Sequence, residues 1–179
     1  MKDVIRGTAY VLGDHVDTDQ IIPAQHLVYS LTDPQERKLY NAYAHSTVPT
    51  AEARHPDGAF RSAYTVSVGG GNFGCGSRRE HAPFALREAG IEAVIAESYA
   101  RIFYRNAVDG GFLAPFETPE KLNDKVRTGD MVEVDTKAGT FTNVTTGERW
   151  ALQPLGDVAA ILEAGGVFEY ARQQGLIPT

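Results

Sequence analysis

The sequence predicts an α/β fold, and three stretches carry that expectation. Residues 64–96 read as strand, glycine-rich turn, helix and strand, which is a βαβ unit. Residues 130–150, DMVEVDTKAGTFTNVTTGERW, alternate in hydropathy around turns at Ala138-Gly139 and Thr146-Gly147, the pattern of a small antiparallel meander. Residues 156–173 repeat apolar side chains at Val158, Ile161, Leu162, Phe168 and Ala171, an amphipathic helix expected to pack on the sheet.

The remaining elements follow in chain order. Residues 8–12, TAYVL, form a first strand that ends at Gly13-Asp14, and polar residues then lead to Ile21-Ile22-Pro23. Between 31 and 63 the periodicity weakens around Pro34, Pro49 and Pro56, with one helix expected over residues 35–44. Such a stretch reads as a mobile surface excursion, a candidate lid. Tyr64 to Val68 is the first strand of the βαβ unit, Ala82 to Ala89 its helix with Gly90 placed to end it, and Ile91 to Ala96 its second strand. ARIFYRNAVDGGFLAPF then reads as a helix, a break at Gly110-Gly111 and a short buried strand.

A chain of 179 residues with 42% hydrophobic and 22% charged content fits a single domain. Its net charge of −6 opposes a sequence-independent grip on nucleic acid. No apolar run suits a signal peptide or a membrane span, and the one cysteine, Cys75, can form no internal disulfide. Cys75 alone also falls short of the thiolates that a zinc or iron–sulfur site takes. A cytoplasmic protein without nucleic acid or membrane as partner is expected.

The stretch GGGNFGCGSRREH, residues 69–81, supports three readings. Gly69, Gly71 and Gly74 spell the G-x-G-x-x-G of a dinucleotide site after a strand, and Glu97 closes the next strand. Against this, small apolar residues should follow the third glycine, and here Cys-Gly-Ser-Arg-Arg-Glu-His does. In the second reading Ser77 and Glu80 form a capping box, although Pro83 fits better in a helix that starts nearer Ala82. In the third, Ser77 sits among N–H donors beside Arg78 and Arg79, where a hydroxyl could act as a base and a guanidinium could hold a carboxylate.

Other candidates have plainer alternatives. Cys75 could be an activated thiol or a small packed side chain. His81 could be a base or a hydrogen-bonded structural residue. Asp14, Asp17 and Asp19 have the spacing of a calcium loop but lack its glycine and distal glutamate. Arg101 and Arg105, four apart on a helix, fit an ion-paired or solvated face.

Two motifs together, Gly13-Asp14-His15-Val16-Asp17-Thr18-Asp19-Gln20-Ile21-Ile22-Pro23-Ala24 and Asn72-Phe73-Gly74-Cys75-Gly76-Ser77 with Arg79-Glu80-His81-Ala82, resemble the small subunits of 3-isopropylmalate dehydratases, in the aconitase superfamily. The resemblance extends through ARIFYRNA, GDMVEVD, TTGE and ILEAGGVFEYAR. It implies a swivelling β/β/α domain of the aconitase C-terminal type, a mixed sheet or barrel with flanking helices spanning residues 1–179. It further implies a two-chain hydro-lyase of leucine biosynthesis whose [4Fe-4S] cluster is carried by a separate large subunit, with self-association open when that partner is missing. By match to the motif, Ser77 is the base, Arg79 holds a carboxylate of a small dicarboxylate substrate, and Asp19 helps to order the site.

The segment after Pro23 contacts the variable part of the substrate in this family, and here Leu27 and Val28 suit a branched alkyl group. The chain departs from the family at Gln25-His26 and at Arg78, a position where serine is usual and where arginine could bind another carboxylate, offset the charge lost at position 25, or face solvent. Paralogous hydratases acting on citramalate, dimethylmalate or homocitrate therefore stay open, as does a non-catalytic binding module.

Overall fold

The computed structural model describes residues 1–44, 62–76 and 80–178. Its centre is a seven-stranded mixed sheet in the order β4-β3-β2-β1-β5-β6-β7. The strands are β1 (Val4–Val11), β2 (Val66–Val68), β3 (Ala93–Ala96), β4 (Ala114–Glu117), β5 (Met131–Asp135), β6 (Thr140–Asn143) and β7 (Arg149–Ala151). β1 joins the two halves. Its last residues run parallel to β2, with Ala9 opposite Val66, and its first five pair antiparallel with β5, Val4 opposite Asp135.

The parallel half is wound through α1 (Thr18–Ile21), α2 (Pro34–Tyr43), α3 (His81–Glu88) and α4 (Arg101–Asp109). Because β2 and β3 are covered on both faces, Val66, Val68 and Ala93 to Ala96 are all buried, the continuous apolar run expected of parallel strands. One core joins Tyr10, Tyr40, Phe73, Phe84 and Phe103 beneath the helices. On the other face Val68 and Ile95 share a second core with Phe141, Trp150 and Leu152 from the antiparallel half, so the sheet curls towards a barrel. The two edges meet where Gln153 N–H donates to the Glu117 carbonyl at 2.8 Å. Pro115 is accommodated because β4 is an edge strand.

The βαβ unit and the meander lie where the sequence places them. Two expectations change. The single terminal helix is two, α5 (Val158–Ala164) and α6 (Val167–Gln173), because Gly165 and Gly166 take φ of +93° and +126°. Only α5 reaches the core, through Leu162, while Phe168 on α6 is 70% exposed. The first strand also begins at Val4 and not at Thr8. The helix expected over residues 35–44 is present as α2, with Tyr40 buried. The lid reading for residues 45–61 lies outside the described residues.

Candidate functional site

The carboxyl ends of β1, β2 and β3 open into loops that lie together as a crest, the usual position for chemistry on parallel strands. Residues 69–75 form its middle, and every one of their seven backbone N–H groups is bonded within the chain. Gly69 donates to Ile95 O, Gly70 to Gly13 O, Phe73 to Ser98 O, and Gly74 and Cys75 both to Val16 O. Gly71 donates to the Asp14 carboxylate at 3.0 Å and Asn72 to Ser98 Oγ at 2.9 Å. No amide of this turn is left to cradle a pyrophosphate. The dinucleotide reading fails because the glycines serve chain-to-chain packing.

That packing is tight at Gly69, Gly70, Gly74 and Gly76, though not at Gly71. A Cβ on Gly70 would run into the Asp14 carboxylate and the Asn123 amide, and one on Gly76 into the Asp17 carboxylate. Gly74, at φ +77°, lies against the Phe103 ring. The first motif answers the second strand-like: His15 N–H donates to Gly71 O and Thr18 N–H to Cys75 O, both at 2.8 Å. His15 and Asn72 both adopt left-handed backbones, φ +52° and +54°, and their side chains meet at 3.2 Å.

Asp14, Asp17 and Asp19 do different work from a calcium loop. The Asp14 carboxylate pairs with Lys121 Nζ at 2.8 Å, and this bond together with the Gly71 N–H holds its pKa below the usual 3.8. Asp17 caps α1 by accepting from Asp19 N–H, while its own N–H donates to the Gln20 side chain at 2.7 Å, a capping box. Asp19 is exposed in the first turn of α1. Among the described residues, no three His, Cys, Asp or Glu side chains gather as metal ligands.

The recognition segment follows α1. Ala24–His26 is a single 3-10 turn, Leu27 packs partly on the core, and Val28 projects outward, 77% exposed. Sequence reasoning set Leu27, Val28 and Asp19 together with the glycine loop; of these Asp19 adjoins it, through Thr18 N–H donating to Cys75 O, while Leu27 and Val28 follow α1. Ser77, Arg78 and Arg79 lie outside the described residues. They fall between Gly76, pressed against Asp17, and Glu80, the residue before α3. The helix starts at His81 with Glu80 as its N-cap, so Pro83 stands in its first turn as expected.

Cys75 is half-buried, and desolvation, then the Asp17 carboxylate, push its thiol pKa up, the opposite of an activated nucleophile. His81 packs its ring on Tyr40 at 5.9 Å. Arg105 pairs with Asp109 at 3.2 Å, as a helix-face ion pair should. Clefts of about 330 and 360 Å³ lie elsewhere, and neither is lined by Asp19, Leu27, Val28 or Gly76. Sequence reasoning missed Lys121 and Asn123, which brace the crest from beyond β4, and Ser98, whose hydroxyl takes the Asn72 N–H.

Comparison with known proteins agrees with this architecture. The aconitase C-terminal domain family matches residues 13–121. The small subunit 1 of 3-isopropylmalate dehydratase from Arabidopsis thaliana is 42% identical over 182 residues, covering 99% of this chain and 72% of the relative. The isopropylmalate/citramalate isomerase small subunit of Methanocaldococcus jannaschii is also 42% identical, over 97% of both chains. A crystal structure of 3-isopropylmalate dehydratase from the same archaeon superposes with a TM-score of 0.79 at 36% identity, covering 97% of this chain and 96% of the other. The chain belongs to the aconitase C-terminal domain family and groups there with the small subunits of 3-isopropylmalate dehydratases.

Proposed function

We propose that this chain is the small subunit of a hydro-lyase that interconverts 2-isopropylmalate and 3-isopropylmalate, with Ser77 as its base. The observation that carries the reading is the lacing of the two motif loops, which brings Asp19 and the residue before Ser77 onto one crest. A single half-buried Cys75 with a raised thiol pKa does not suit a cluster, so in this reading any cluster is held by a large subunit.

In this reading Ser77 takes the proton from the carbon next to a carboxylate while the hydroxyl leaves the neighbouring carbon, so the elements of water are lost in two parts, the proton to Ser77 and the hydroxide to the Lewis acid that a cluster on the large subunit would supply. Return of the proton and of the hydroxyl to exchanged carbons completes the isomerisation. Arg79 holds a substrate carboxylate, and its charge beside Ser77 favours the alkoxide that proton removal needs. Since the amides of residues 69–75 are all bonded within the chain, carboxylate recognition on this side falls to side chains. Leu27 and Val28 form the apolar wall for the alkyl group, and Arg78 stands ready for any further carboxylate.

The test mixes the chain anaerobically with a cluster-loaded large subunit and follows the absorbance of the unsaturated acid. Turnover of isopropylmalate should fall by about 10²- to 10⁴-fold in Ser77→Ala, the range for losing a general base. Equal turnover in that variant removes Ser77 from the role. A preference for citramalate, a substrate that the M. jannaschii relative's name includes, would favour the second reading, with Gln25-His26 and Arg78 as the specificity residues.

A further inference from the structure

We infer that Tyr40 is a positioning residue that sets the substrate selectivity of the crest, an inference resting on the proposed role of residues 24–29 as the substrate's alkyl wall. Tyr40 is fully buried on α2, yet its hydroxyl donates to the Tyr29 backbone carbonyl at 2.6 Å. The bond lands one residue after Val28, whose own side chain is 77% exposed. An exposed side chain has its position set by the backbone on either side of it, so what holds Tyr29 holds Val28.

Two more contacts come from the same face of α2. Glu36, one turn before Tyr40, accepts from Ser30 N–H at 2.5 Å. Tyr43, one turn after it, stacks on the His26 ring with centroids 3.6 Å apart and planes at 7°. Residues 36, 40 and 43 therefore run alongside residues 26, 29 and 30 as a splint. The other side of Tyr40 reaches α3: its ring meets Phe84 edge-on at 5.4 Å and lies tilted to His81 at 5.9 Å. Arg37 on α2 also pairs with Glu88 on α3 at 2.6 Å. Tyr40 thus touches both the segment that meets the alkyl group and the helix that follows Ser77 to Arg79. It acts through the Tyr29 carbonyl.

Tyr40→Phe keeps the ring contacts and removes only the donor. A buried hydrogen bond of ordinary strength corresponds to about a three- to tenfold change in an equilibrium constant. With the large subunit present, KM for isopropylmalate should rise about three- to tenfold, with kcat held within about twofold. The kcat/KM preference for isopropylmalate over the smaller citramalate should fall by the same factor, because the looser wall costs the larger alkyl group its contacts. Glu36→Ala, at an exposed position that folding tolerates, should move the ratio in the same direction by less. If the wild-type pair turns over isopropylmalate while both variants keep its selectivity ratio, the inference falls and the proposed function stands. A parallel loss of kcat on every acid would make Tyr40 a packing residue and also overturn the inference. A wild-type pair inactive on every acid, with a large subunit shown to be active, overturns both.

Discussion

Gly74→Ala separates the two reasons a glycine can stand in such a loop: close approach of a ligand, or close approach of the chain to itself. At φ +77° an alanine pays a backbone penalty of about 1 to 2 kcal/mol. Its Cβ would also enter the Phe103 ring, which is 2% exposed and wedged edge-on against Phe73 at 5.4 Å. Overpacking of this kind adds about 1 to 3 kcal/mol, for a total of roughly 2 to 5 kcal/mol. Gly90 supplies the control, since it has φ +98° but nothing within 4 Å of its added Cβ. Gly90→Ala should therefore cost the backbone penalty alone, about 1 to 2 kcal/mol. Urea denaturation of the isolated chain, followed by far-ultraviolet circular dichroism, reads both. Phe103→Leu makes room, so combined with Gly74→Ala it should recover about 1 to 3 kcal/mol relative to the sum of the single variants. Strict additivity, or a Gly74→Ala cost no larger than that of Gly90→Ala, would refute the packing explanation.

The Asp14 carboxylate has a folded-state pKa below 3.8, held there first by the Lys121 hydrogen bond and then by the Gly71 N–H. Its contribution to stability is complete above the unfolded value and is lost as pH falls through the folded one, so Asp14→Asn should flatten the acid limb of urea midpoint against pH. A limb as steep as wild type would remove the pair from the acid response. Iodoacetamide should alkylate Cys75 more slowly in the folded chain at neutral pH than in urea, because desolvation keeps the thiol protonated, and equal rates would contradict that.

How legible the fold was depended on whether a signal was local. The meander could be read because Val132, Val134 and Phe141 alternate inward along strands separated by glycine turns. The sequence pattern for the first strand starts only at Thr8 because Gly7 interrupts it, whereas the strand begins at Val4. That glycine exists to let the Thr65 side chain lie against the strand, a contact 58 positions away that no window could reveal. Apolar spacing continues past Gly165-Gly166 and so predicts one terminal helix, while the positive φ of both residues turns the chain. At the crest, the pairing of the two motifs could be read from their order, and their mesh could not. The left-handed His15 and Asn72 had a weak signal, since both residue types are enriched at positive φ. Tyr40 had none: a hydroxyl bonded to a backbone carbonyl leaves no pattern in sequence.

The literal G-x-G-x-x-G and the observed loop use glycine for opposite ends. In a phosphate site the missing Cβ lets a ligand approach free amides. Here the missing Cβ atoms at Gly70, Gly74 and Gly76 admit Asp14, Phe103 and Asp17, and the amides of residues 69–75 are consumed by the neighbouring loops. Rigidity is what this exchange gains: the turn is bonded to the loops on both sides and cannot shift without breaking them. A rigid platform suits the proposed role of Ser77, because a weak base depends on being held at its proton before the reaction begins. Asp19 and Val28 face outward, both exposed. In the proposed function the opposite wall is the large subunit, and the outward-facing residues are the half of the site that this chain brings to it.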